Sequence, residues 1–221
     1  MHRKIVPLVL VAVTLALASC AASRTSPNVE ARAAAPGADE AIQLAGLLAR
    51  AETLLKGKQY KEALDALLAA EKIGPNDPRV LFGMGTVYRN AGRYKESMRY
   101  LTRLVALAPN DPHQVATYGQ IGIIHRSTGN YAAAIDAFTS ALKIQSNNWR
   151  TLAYLGDLYY KTKQYDLSNQ YITLFKQAVD AQNPTLLTDD ERRDIRNADD
   201  LLNADMQAIK QSRKSGLPDE L

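Results

Sequence analysis

A single cysteine, at position 20, stands among the 221 residues, so no disulfide can close within the chain. Histidine is almost as scarce at three residues, and no Cys/His set has the spacing a metal ion requires. No glycine-rich loop opens a helix in the phosphate-cradling pattern. The longest apolar run covers residues 5–18, too short to cross a bilayer comfortably as a helix. An excess of one charge is missing too. Two of the 27 basic residues, Arg3 and Lys4, precede that apolar run, and without them the balance is 25 basic to 23 acidic. Such a balance lacks the basic excess that phosphate backbones select, so no nucleic-acid partner is expected. With 46% hydrophobic and 23% charged residues, the chain reads as one globular domain with appendages.

What the sequence has is a returning cassette. Gly92-Arg93-Tyr94-Lys95-Glu96-Ser97 has relatives in Lys58-Gln59-Tyr60-Lys61-Glu62-Ala63, Gly129-Asn130-Tyr131-Ala132-Ala133-Ala134 and Lys163-Gln164-Tyr165-Asp166-Leu167-Ser168. The tyrosines at 60, 94, 131 and 165 are 34, 37 and 34 residues apart. Upstream of three of them lie Leu81/Met84/Gly85/Tyr88, Tyr118/Ile121/Gly122/His125 and Leu152/Leu155/Gly156/Tyr159. Downstream, Leu67/Ala70, Leu101/Leu104, Phe138/Ala141 and Ile172/Phe175 recur seven and ten residues after their tyrosines. These spacings are helical stripes, and the glycine inside each upstream stripe points to close approach by a partner helix. One helix pair cannot bury its apolar face, so neighbouring pairs must stack to supply a core. Seven tyrosines (60, 88, 94, 118, 131, 159 and 165) fall at stripe or turn positions and are expected in that core. Gly74-Pro75-Asn76-Asp77-Pro78 and Ala108-Pro109-Asn110-Asp111-Pro112 end the first two units, breaking one helix and offering an N-cap to the next.

Four units in register, with the glycine, the tyrosine and the small residue three after it, resemble the tetratricopeptide repeat (TPR) family over roughly residues 40–180. The resemblance implies an all-α TPR solenoid of about four helix-turn-helix repeats with a C-terminal capping helix. The first unit departs most, with Arg50 where the second has Met84, as a helix with a neighbour on one side only can tolerate. About three extra residues at 109–115 are expected in a loop or helix start, with Asp111-Pro112 opening the next helix. After Asn183-Pro184, Thr188 and Glu191 form a capping box, and Ile195, Ala198, Leu201, Leu202 and Met206 run at helical spacing. A helix over 188–213 is therefore expected to seal the array, with 183–221 as the C-terminal region.

The chain opens with Met1-His2-Arg3-Lys4, continues through the apolar run and reaches Leu17-Ala18-Ser19-Cys20. This has the form of a signal peptide, and its end resembles the lipobox of bacterial lipoproteins. In such proteins cleavage precedes the cysteine, whose thiol and new amine carry acyl chains. Carried over, residues 1–19 are the signal peptide and Cys20 the lipidated first residue, with Ala21 resembling outer-membrane sorting. Residues 21–39, rich in Ala, Ser, Pro, Gly and Arg, read as a tether with a mean span of roughly 25 Å. The array is then assigned to 40–182.

No nucleophile and base pair stands clear of the stripes, so no enzyme is expected, and no cofactor beyond the covalent lipid. His125 replaces a stripe tyrosine, and His113 sits in the insertion beside Asp111. In TPR proteins the first helix of each unit lines a groove for a peptide or partner helix. By register the groove positions are Arg79, Phe82, Thr86 and Arg89; then Gln120, Ile123 and Arg126; then Arg150, Tyr154, Asp157 and Lys161. Arg89 and Arg126 are equivalent in consecutive units, and arginine forks beside apolar neighbours suit an acidic segment with apolar anchors. The other reading makes Phe82, Ile123 and Tyr154 core residues and the arginines solvated charges. The asparagine of the chaperone-binding TPR clamp is replaced by Gly83, Gln120 and Tyr154. Lipobox, tether and array together resemble pilus-assembly lipoproteins of the tight-adherence or type IV pilotin kind, which implies an envelope location and a secretin as partner. The alternative is an adaptor docking peptidoglycan hydrolases or proteases.

Overall fold

The computed structural model describes residues 37–215, so the signal-peptide, Cys20 and most tether assignments lie outside the described residues. Eight helices alternate in pairs: α1 (Ala38–Lys56) with α2 (Tyr60–Ile73), α3 (Pro78–Asn90) with α4 (Tyr94–Leu107), α5 (Gln114–Ser127) with α6 (Tyr131–Ile144), and α7 (Trp149–Lys161) with α8 (Tyr165–Asp180). A 3-10 turn at Pro184–Leu186 leads into α9 (Asp189–Ser215). Among the described residues there is no strand and no helix long and apolar enough to cross a membrane.

Each cassette tyrosine is the first residue of its pair's second helix. The reason lies two residues earlier, where the backbone turns left-handed at Lys58, Gly92, Gly129 and Lys163, with φ of 58°, 73°, 76° and 60°. That conformation ends the first helix and reverses the chain. The next turn, between pairs, is closed by side-chain caps. Asp77 accepts the backbone N–H of Arg79 at 2.8 Å with Pro78 in the first helical turn, and Asn148 accepts that of Thr151 at 3.0 Å. In α9 the Thr188 Oγ1 accepts from the Glu191 N–H, and Glu191 accepts from the Thr188 N–H, completing the expected box.

The stripe glycines are contact points between paired helices. A Cβ on Gly85 would stand 2.4 Å from Leu101, on Gly122 2.7 Å from Phe138, and on Gly156 3.1 Å from Ile172. In two pairs the approach is also hydrogen-bonded: buried Ser97 and Ser168 donate to the carbonyls of Gly85 and Gly156 at 2.7 and 2.9 Å. The core passes from pair to pair: Leu67, Leu81, Met84 and Leu104 pack together, then Leu101 with Ile121 and Ile124, then Phe138 with Leu155 and Leu158, then Leu152, Ile172 and Phe175 with Leu202 of α9. Arg50 is exposed on α1, where no earlier pair covers it.

Three expectations need correction. Of the seven tyrosines assigned to the core only Tyr88 is buried; the other six are half-buried, with Tyr60, Tyr94, Tyr131 and Tyr159 packed against the core from its edge. The third pair does not open at Asp111-Pro112: Asp111 caps His113, and α5 starts at Gln114, whose buried side chain donates to the Ala108 carbonyl. Leu201 of α9 turns outward, with Leu202 and Ile209 carrying the packing.

Candidate functional site

The first helices α1, α3, α5 and α7 share one face, and three hollows follow one another along it. One of about 480 Å³ lies between α1 and α3, bounded by Leu48, Leu55, Phe82 and Thr86. A second, about 410 Å³, lies between α5 and α7 over Gly119, Gln120, Ile123 and Tyr154. A third, about 320 Å³, lies between α7 and α9. Ten of the eleven groove positions expected from register are beside these hollows or in polar contact with residues that line them; Arg89, on α3, lines none of the three.

Arg79 turns back to its own helix start, where its guanidinium meets Asp77 at 2.6 Å. That contact outweighs the burial that pushes the Asp77 carboxyl upward, and the group ends below its usual range. Phe82 packs on the first core cluster and tilts against the His113 ring, centroids 4.8 Å apart. Thr86 accepts a 2.7 Å hydrogen bond from Gln120, tying α3 to α5. Gln120 is only 7% exposed, and its Oε1 has no partner. Ile123 and Tyr154 border the cluster around Phe138, on which the Tyr154 ring stacks at 4.9 Å. Phe82, Ile123 and Tyr154 are thus half-buried, each with one side in the core and the other at the groove.

The two equivalent arginines differ in state. Arg126 lies over the Tyr154 ring, 5.7 Å from its centroid, and its Nε and Nη2 donate to Asp157 at 3.0 and 2.7 Å. Lys161, one turn after Asp157, reaches the same carboxylate at 2.5 Å. Asp157 is 3% exposed, so this is a buried anion satisfied by two cations, the condition for tolerating such a charge. Arg89 has no acidic partner among the described residues, and its buried Nε lacks a hydrogen bond. Burial holds its guanidinium below its usual basicity, against the opposing influence of Tyr154, Tyr60 and Tyr94. An unfilled donor of this kind favours an incoming acceptor. Arg150 covers the Trp149 ring at 4.4 Å and faces Glu191 and Asp194 of α9 at 3.6 and 3.8 Å.

The Asp157–Lys161 pair is legible as an i,i+4 contact. The Arg126–Asp157 bond, spanning 31 residues, follows from register one unit apart. Asp205 of α9, buried behind Asp157, had no signal in the repeat pattern. Among the described residues no group of three or more His, Cys, Asp or Glu side chains is placed to hold a metal ion.

Two tetratricopeptide-repeat family models match this chain, over residues 77–147 and 120–183. The human Cell division cycle protein 16 homolog is 32% identical over 99 residues, which is 42% of this chain and 15% of that protein, and the mouse homolog matches equally. The chain therefore aligns with only a small part of these relatives. Among solved structures, MamA from Desulfovibrio magneticus superposes with a TM-score of 0.57 at 18% identity, over 63% of this chain and 77% of that one. The Cut9–Hcn1 hetero-tetramer of the APC/C gives 0.62 at 17% identity, over 73% and 29%. At such identities the likeness is one of fold. Residues 77–183 are tetratricopeptide repeats, extended by the α1/α2 pair before them and α9 after.

Proposed function

We propose that the tetratricopeptide repeats of this chain serve as a non-enzymatic protein-interaction scaffold, and that the groove face of α1, α3 and α5 receives an acidic segment with apolar anchors. The observation that carries this reading is Arg89 of α3, half-buried with a buried Nε that has no hydrogen-bond partner. An incoming carboxylate gains a charge-assisted hydrogen bond there, while Phe82 and Ile123 offer apolar contact. Arg126, engaged by Asp157, supports the groove wall and leaves recognition to Arg89.

The same proposal places the scaffold on a bacterial envelope membrane, facing the periplasm at the outer membrane. Its support is the Leu17-Ala18-Ser19-Cys20 sequence after an apolar run; acyl chains on Cys20 would each add about 0.8 kcal/mol per buried CH₂. Lipobox, tether and repeats together favour assistance to pilus or secretion-system assembly, with a secretin as partner. The test is crosslinking of the full-length protein in its own membranes, beside Cys20→Ala and Arg89→Glu variants. Capture of a secretin, dependent on both residues, is the expected result. Capture of peptidoglycan hydrolases or proteases would replace the pilus reading by the adaptor one. Membrane association and acyl labelling that persist in Cys20→Ala would refute the anchor.

A further inference from the structure

The last helix carries an acid where its packing calls for an apolar residue. α9 runs for 27 residues, against 13 in α7, and packs on α7 and α8 as the first helix of a fifth pair would. Leu202 meets Gly156, where a Cβ would stand 3.2 Å from its Cδ2, and Ile209 is also buried. Between them on the same stripe lies Asp205, 8% exposed, with an Oδ2 that has no hydrogen-bond partner. A buried carboxylate without a partner weakens the interface that holds it.

The groups around Asp205 sharpen the conflict. From α7 it is faced by the buried Asp157 carboxylate, by Tyr160 and by Lys161. Both Arg126 of α5 and Lys161 are already bonded to Asp157. From α8, Lys176 is held by Asn203 at 2.7 Å and lies 3.9 Å from Asp199, and Tyr165 packs against Tyr160. The one cation that acts on Asp205, Lys161, is thus shared with Asp157.

We propose that α9 is a pH-sensitive strap over the last helix pair, seated firmly when Asp205 is protonated and loosened from α7 when Asp205 is ionised beside Asp157. Burial, followed by the Asp157 carboxylate, pushes the Asp205 carboxyl up to about 6, with Lys161 acting in the opposite direction. Because this folded-state value lies above the ordinary 3.8, the added stability is complete below about pH 4 and is lost as pH rises through about 6. Loosening α9 opens the hollow of about 320 Å³ that it forms with α7 and uncovers Trp149, the chain's sole tryptophan. The strap would thereby lengthen the groove face at neutral pH and shorten it in acid.

The test is hydrogen–deuterium exchange of the full chain at pH 5 and pH 7.5, with protection in α9 corrected for intrinsic rates and referred to α3. The linkage gives about tenfold less relative protection of α9 at pH 7.5 than at pH 5. Asp205→Asn removes the titrating group and should leave α9 with equal protection at both values. Lys161→Gln removes the cation that opposes the shift and should move the midpoint to higher pH. Parent protection that is independent of pH, or an equal drop in Asp205→Asn, would overturn the proposal. Should Asp205→Asn fail to seat α9 at either pH, Lys161→Gln decides: a midpoint unmoved or moved downward overturns it.

Discussion

Replacing Gly122 by alanine places one methyl group against the face of a buried aromatic ring. The new Cβ would lie 2.7–2.8 Å from three atoms of the Phe138 ring. That ring cannot easily recede: it is fully buried, and the ring of Tyr154 stacks against it at 4.9 Å. Alanine gains about 1 kcal/mol over glycine in a helix interior. Overpacking a closed core costs about 1–3 kcal/mol, and contact with several atoms of a rigid ring puts Gly122→Ala at the upper end. The net expectation is a loss of about 1–2 kcal/mol, or a melting temperature lower by about 2–8 °C for an array of this size. Gly119, one turn earlier in α5, is the internal control, because a Cβ there meets nothing within 4 Å. Gly119→Ala should keep the helical gain and melt about 2–4 °C higher. Thermal unfolding followed by circular dichroism at 222 nm reads both variants. If Gly122→Ala is stabilised as much as Gly119→Ala, close helix approach is not what that glycine serves.

Two further substitutions test the repeat logic elsewhere. Lys58 adopts the left-handed turn that the next two pairs assign to glycine, at a conformational cost of about 1 kcal/mol. Lys58→Gly should therefore raise the denaturation midpoint, and a lower midpoint would refute the assignment of strain to that turn. Ser168 donates to the Gly156 carbonyl from a fully buried position. Ser168→Ala should cost about 0.5–1.5 kcal/mol in urea denaturation; no change would show that the tight approach at Gly156 holds without the bond.

Much of this architecture was legible because one spacing is imposed four times. The period of the tyrosines reports the length of a helix pair, and Leu101, Phe138 and Ile172 face their glycines because each stands seven residues after its tyrosine. The start of α5 was misplaced because Asp111 offers the same capping signal as Asp77, while the extra residues let the chain form one more turn before Gln114. Register set most of the expected positions beside the hollows but said nothing of how their side chains are paired. Arg89 and Arg126 are equivalent in sequence, and only the third dimension shows one bonded to Asp157 and the other unpaired. This difference matters for experiment: Arg126→Glu would set a second acid against a buried carboxylate, so the groove is better probed at Arg89 alone. Asp205 escaped notice because α9 follows no repeat, and an aspartate in an acidic helix reads as solvated until its neighbours are known.

The central claim is that partners enter by the first-helix face. It is tested most directly by placing a photo-crosslinking residue at Ala49 and Ala116, both exposed at the rims of the groove hollows, and separately at Leu107 and Ile144, exposed on the second helices. In the cells that produce it the protein should crosslink one discrete partner from positions 49 and 116, and Arg89→Glu should abolish those adducts while leaving the circular dichroism spectrum unchanged. Adducts that arise from 107 and 144 instead, or that survive Arg89→Glu at full yield, would contradict the account.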